Sequence, residues 1–119
     1  MRDSGPLRNR FLAYALRVLR LYRAMPRHRE GGVIGSQLLR SGLSVGAHFR
    51  EAVRARSTAE FISKMNGGLM ELEETLYWLE ILEASQLFAR RRLESLMDES
   101  RQLAAILVSL IKRAAKTRK

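Results

Sequence analysis

An all-α fold, an antiparallel up-down-up-down four-helix bundle forming one domain over 1–119, follows from three features of the sequence. Four stretches repeat apolar residues near the helical period of 3.6, the breaks between them are short, and no stretch alternates at the strand period of two. The composition, 46% hydrophobic with only two prolines, supports the same class because it fills a core without punctuating it. A chain of 119 residues has room for one such core, so a two-domain reading is dropped.

The first helix is expected over about 7–25, stopped by Pro26, which pushes the residue before it out of the α region. Phe11, Ala15, Val18, Leu19, Tyr22 and Met25 form its apolar arc, with Arg10, Arg17, Arg20 and Arg27 opposite. The stretch 26–32 reads as a loop, broken by Gly31 and Gly32.

A second helix is predicted over about 33–54, with Ile34, Leu38, Val45, Phe49 and Ala52 inward. Glycine inside a helix costs about 1 kcal/mol relative to alanine. Gly35, Gly42 and Gly46 align along one edge of the apolar arc, which points to a close helix crossing there.

Ser57 and Glu60 form an S-x-x-E capping box, so a third helix is predicted over 58–84. Phe61, Met65, Leu69, Leu72, Leu76 and Leu79 give it a bundle seam. A second apolar patch, Met70, Tyr77 and Ile81, lies about 140° round the helix, with Trp78 between the two. Either this helix is central in the domain or the second patch is buried against another subunit; in so short a bundle the second arrangement is favoured, which makes Met70, Tyr77, Trp78 and Ile81 the expected oligomer interface.

Ser85 and Gln86 make a short turn, and the fourth helix is expected over about 88–115 along the seam Leu93, Leu96, Ser100, Leu103, Leu107, Leu110 and Ala114. Arg90, Arg91 and Arg92 crowd its first turn, where cations oppose the helix dipole, whereas Lys112, Arg113 and Lys116 suit its end.

Charge is the strongest global anomaly, at net +10 and pI near 11.2. Residues 1–30 hold eight arginines against Asp3 and Glu30, while 57–84 carry six glutamates against Lys64. A basic exterior and an acidic segment therefore coexist. No cysteine is present, which excludes disulfides, thiolate nucleophiles and cysteine-ligated zinc. The longest uncharged apolar run, Leu103–Ile111, falls short of the roughly 20 residues a membrane span needs. Met1 to Asn9 has no signal-peptide apolar run, so cytoplasmic residence is the default expectation.

The run QLLRSGLSVGAHFREA from Gln37 to Ala52, then Arg56-Ser57 with Glu60-Phe61, then Glu71-Leu72-Glu73-Glu74 and Tyr77-Trp78-Leu79, resembles a bacterial four-helix-bundle family. That family includes proteins encoded by intervening sequences in large-subunit ribosomal RNA genes, and is related to the accessory protein of diversity-generating retroelements. The chain departs from its common pattern at His48, where asparagine is usual, and at Phe49, where tyrosine is frequent. The resemblance implies a ring-like homo-oligomer, a homopentamer, often with a basic surface; for the retroelement relatives it implies binding to a reverse transcriptase and to nucleic acid.

Catalysis has little support in the residues. The two histidines, His28 and His48, accompany no phosphate loop, nucleophile elbow or supported acid–base pair. His48 and Glu51, expected to face Glu71 and Glu74, reverse the Glu-x-x-His order of di-metal bundles and lack a second histidine, so no metal or other cofactor is expected. Arg40, Arg50 and Arg54 are the natural counter-charges of Glu71 and Glu74. Eighteen of the 22 basic residues are arginine, whose fork suits phosphate oxygens. The expectation is a non-enzymatic, basic, oligomeric bundle that binds the backbone of RNA or DNA through Arg10, Arg17, Arg20, Arg27, Arg90, Arg91, Arg92, Lys112 and Lys116, as an accessory to a reverse transcriptase or to ribosomal RNA. The alternative is a protein-interaction scaffold for a partner such as a polymerase, with no direct nucleic-acid role.

Overall fold

The computed structural model describes residues 4–26 and 28–117. It contains four helices in chain order, α1 (Gly5–Ala24), α2 (Arg29–Val53), α3 (Thr58–Ala84) and α4 (Arg90–Thr117), with no strand among the described residues. They form a rod of 51 × 21 × 19 Å. Each helix packs on its chain neighbours, α1 and α4 approach each other more loosely, and the backbones of diagonal helices stay apart.

Local chemistry sets the ends. Met25 is extended ahead of Pro26 and closes α1. Ser57 accepts the Glu60 N–H at 3.0 Å and starts α3 where the capping box places it, while the Glu60 carboxylate reaches back to the Arg56 N–H at 3.3 Å.

The loop expected over 26–32 is shorter than that, because Gly31 and Gly32 lie inside α2. His28 is the cap: its Nδ1 accepts the Gly31 N–H at 3.1 Å. A β-carbon at residue 31 would stand 2.5 Å from the Pro26 carbonyl oxygen, so the glycine is what lets the chain turn this tightly. At the other corner Gln86 takes a positive φ of 61°, which delays α4 to Arg90.

The core is built from Phe11, Val18, Leu38, Val45, Phe49, Met65, Leu72, Leu79, Leu93, Leu103 and Leu107. The glycine edge of α2 faces α1, and Gly42 sits directly against Val18. α1 is rotated relative to the expected arc. Tyr14 and Leu21 are buried, Ala15 and Leu19 are half-buried, and Tyr22 is exposed. The physical reason is a polar layer through the middle of the bundle. Tyr14 donates to Ser100 Oγ at 2.7 Å, because the Ser100 hydroxyl proton goes to the Leu96 carbonyl. On the other side of the core Thr75 Oγ1 lies 2.8 Å from Ser41 Oγ. Desolvation pushes the Tyr14 phenol up to about 12, against the opposing pull of its bonds to Ser100 and Thr75.

Candidate nucleic-acid interface

The rotation of α1 moves its arginines. Arg10 and Arg17 do not stand opposite the core but at the edge facing α4. Arg10 forms a fork with Glu99, Nε to Oε2 at 2.9 Å and Nη2 to Oε1 at 2.8 Å, and a further bond to Gln102 at 3.0 Å. The pair raises the Arg10 guanidinium and holds the Glu99 carboxyl below its usual range, in both cases mainly through the hydrogen bond between them. Arg10 is therefore a clamp across the wide α1–α4 seam, which corrects its placement on a free basic face.

One turn pair further along, the seam opens into a cleft of about 220 Å³ lined by Arg17, Arg20, Leu21, Phe88, Arg92 and Leu96. Three guanidinium groups from two helices converge there, and no carboxylate lines the cleft. Arg17 Nη2 donates to Ser95 Oγ at 2.9 Å. The Arg92 guanidinium lies 4.5 Å from the centre of the Phe88 ring, a cation–π contact that holds it at the mouth. Antiparallel α1 and α4 thus join two arginine groups that are far apart in sequence.

The remaining basic positions are dispersed. Arg90 is drawn to Glu83 at 3.3 Å rather than back onto its own helix, and Arg91 is exposed. Lys112 and Lys116 stand with Arg113 around a shallow depression of about 470 Å³ on the C-terminal half of α4. Arg27 lies outside the described residues.

The acidic group is structural. Arg40 alone bridges Glu71, at 3.3 Å, and Glu74; Arg50 and Arg54 do not reach them. Trp78 donates its indole N–H to Glu74 at 3.2 Å, and that bond, ahead of Arg40, lowers the Glu74 carboxyl. His48 does not face this pair. Its ring lies over Gly67, and its Nδ1 is 3.0 Å from Glu51 Oε1 without hydrogen-bond alignment. Among the described residues no cluster of three or more metal-ligating side chains occurs.

The second apolar patch of α3 remains uncovered within one chain: Met70 is 70% exposed and Tyr77 56%, while Trp78 and Ile81 are half-buried. A separate apolar face comprises Leu12 and Leu16 on α1 and Leu43 on α2. No helix is long and apolar enough to cross a membrane among the described residues.

The model of the 23S rRNA-intervening sequence protein family matches residues 8–109. A crystal structure from Bacteroides thetaiotaomicron, described as a protein with unknown function from the S23 ribosomal protein family, is 39% identical to this chain; the match covers 88% of this chain and 97% of that one, with a TM-score of 0.83. No curated protein matches.

Proposed function

The chain belongs to the 23S rRNA-intervening sequence protein family, and from that premise we propose that it is a non-enzymatic nucleic-acid-binding bundle that grips the phosphate backbone of RNA or DNA. The observation that carries this reading is the α1–α4 cleft, where Arg17, Arg20 and Arg92 line one cavity whose walls hold no carboxylate. Arginine forks bind phosphate oxygens bidentately, and a cleft held open by an Arg–Phe contact requires little reordering when an anion arrives. Arg91, Lys112 and Lys116 add dispersed positive charge elsewhere on α4. The cleft lining is three arginines with Leu21, Phe88 and Leu96 and no carboxamide or carboxylate, which supports binding directed to the backbone.

The working unit is an oligomer in the cytoplasm, a pentamer by family resemblance. The uncovered Met70 and Tyr77 of α3 support assembly, since large exposed apolar residues mark contact surfaces. These same faces favour the second reading, a scaffold for a protein partner such as a reverse transcriptase.

Fluorescence anisotropy of labelled single-stranded RNA and duplex DNA across a salt series tests the proposal. Log affinity is expected to fall linearly with log salt, by roughly 0.7 per phosphate contact for single strands. The variant R17Q/R20Q/R92Q should bind more weakly and flatten the single-strand slope by about 2. An unchanged slope would remove the cleft from the reading; absence of binding at low salt would leave the scaffold.

A further inference from the structure

A second group of arginines stands on the other side of α1. Arg8 near the start of α1 and Arg50 and Arg54 at the end of α2 surround a groove of about 310 Å³, completed by Ser4, Phe49 and Val53. Antiparallel packing brings them together. Phe11 of α1 lies against Phe49 of α2, with ring centroids 4.7 Å apart, so the turn of α1 that carries Arg8 comes level with the last turn of α2. Arg50 and Arg54, four residues apart, occupy one face.

All three side chains are exposed, none forms an ion pair among the described residues, and no carboxylate lines the groove. Glu51, the nearest acid in sequence, turns instead to His48 at 3.0 Å and Lys64 at 3.9 Å. Arg50 and Arg54 suit the C-terminal end of α2, which accounts for two of the three charges without a ligand. It does not account for Arg8, which lies near the N-terminus of α1, where a cation opposes the dipole and no first-turn acid offsets it.

We propose that this groove is a second phosphate-binding site, which takes the sugar–phosphate backbone of a nucleic-acid strand. The three guanidinium groups hold phosphate oxygens, and the apolar wall at Val53 receives the carbon face of the sugar. The inference rests on the nucleic-acid reading above and adds a consequence to it. Arg8 and Arg20 are separated on α1 by about 18 Å along the axis and about 120° around it. A strand of two or three nucleotides seated at one site does not reach the other, so one chain holds two such strands, or two segments of one folded RNA.

Isothermal titration of the full chain with a single-stranded RNA trinucleotide at low salt tests this. Two strands per chain are expected for the wild type, one for R8Q/R50Q/R54Q and one for R17Q/R20Q/R92Q. The side chains replaced are exposed, and far-UV circular dichroism checks the fold; if the triple variant loses helicity, R54E supplies the same readout. One strand per chain in the wild type, with R8Q/R50Q/R54Q indistinguishable from it, would overturn the second site and leave the first. No binding by the wild type would overturn both.

Discussion

Gly42 has no room for even a β-carbon: an added one would stand 2.6 Å from Val18 Cγ1 and 2.9 Å from Cγ2. Val18 is β-branched, fully buried and held in one rotamer, so it cannot swing aside. At Gly46 the nearest atom, Phe11 Cβ, would be 3.5 Å away, an ordinary contact. The two glycines share an edge of α2 but not a reason for being glycine. Gly42→Ala is expected to destabilise by about 1–3 kcal/mol through overpacking. Gly46→Ala should instead stabilise by up to about 1 kcal/mol through helix propensity. Urea unfolding of the two single variants checks the opposite signs; destabilisation of equal size at both would mean that α1 and α2 are equally close along the whole edge. The glycine alignment was legible in the sequence as a close crossing. Which glycine is indispensable was not, because that depends on the side chain opposite.

The helices differ in how openly their sequences declare them. α3 begins where Ser57 and Glu60 place it, because an S-x-x-E box is a local device that needs no tertiary information. α2 begins four residues before the expected start because histidine is an unusual cap and two consecutive glycines read as a break. The rotation of α1 has a subtler cause. Tyr14 and Tyr22 are the same residue type, and Tyr14 is the one whose hydroxyl meets a buried partner, Ser100 on α4, which the sequence of α1 alone does not reveal. Once Tyr14 turns inward, Arg10 and Arg17 turn toward α4, and the basic face read from helix 1 alone divides into a clamp and a cleft. Arg8 has no evident partner in the sequence, because Arg50 and Arg54 pair there with the acidic residues of α3 that only Arg40 reaches. The polar layer yields a pH prediction. The Tyr14 phenol is raised from 10.0 to about 12 by burial, so the unfolded chain loses this proton first as pH rises. Its contribution to stability is complete below pH 10 and is lost between pH 10 and about 12, a change of about 2–3 kcal/mol. Tyr14→Phe should cost about 1 kcal/mol near neutrality through the missing hydrogen bond and should escape the alkaline loss. Denaturant unfolding of both proteins across this window should show the two stability curves converging and crossing; parallel curves would mean that the phenol is not held protonated by the fold.

Two apolar faces among the described residues are different surfaces, and that difference constrains how copies can meet. Leu12 and Leu16, 48% and 44% exposed, and Leu43, 42% exposed, flank the outer side of the α1–α2 seam. Met70 and Tyr77 lie on α3, beside the arginine bridge from Arg40 to Glu71 and Glu74. A two-fold dimer buries the same patch twice and would leave one of these faces exposed on every copy. A contact between unlike patches buries both on each subunit and closes into a ring where the rotation allows. The expected assembly is therefore heterologous, with the α1–α2 leucines of one copy against the α3 patch of the next. Met70→Glu with Tyr77→Glu, and separately Leu12→Glu with Leu16→Glu, should each reduce the assembly to chains of 13.6 kDa in sedimentation velocity while leaving helicity intact. Loss of assembly in the α3 variant alone would indicate an interface in which α3 meets α3. A wild-type monomer at micromolar concentration would leave both faces free for a different protein, and would favour the scaffold over the ring.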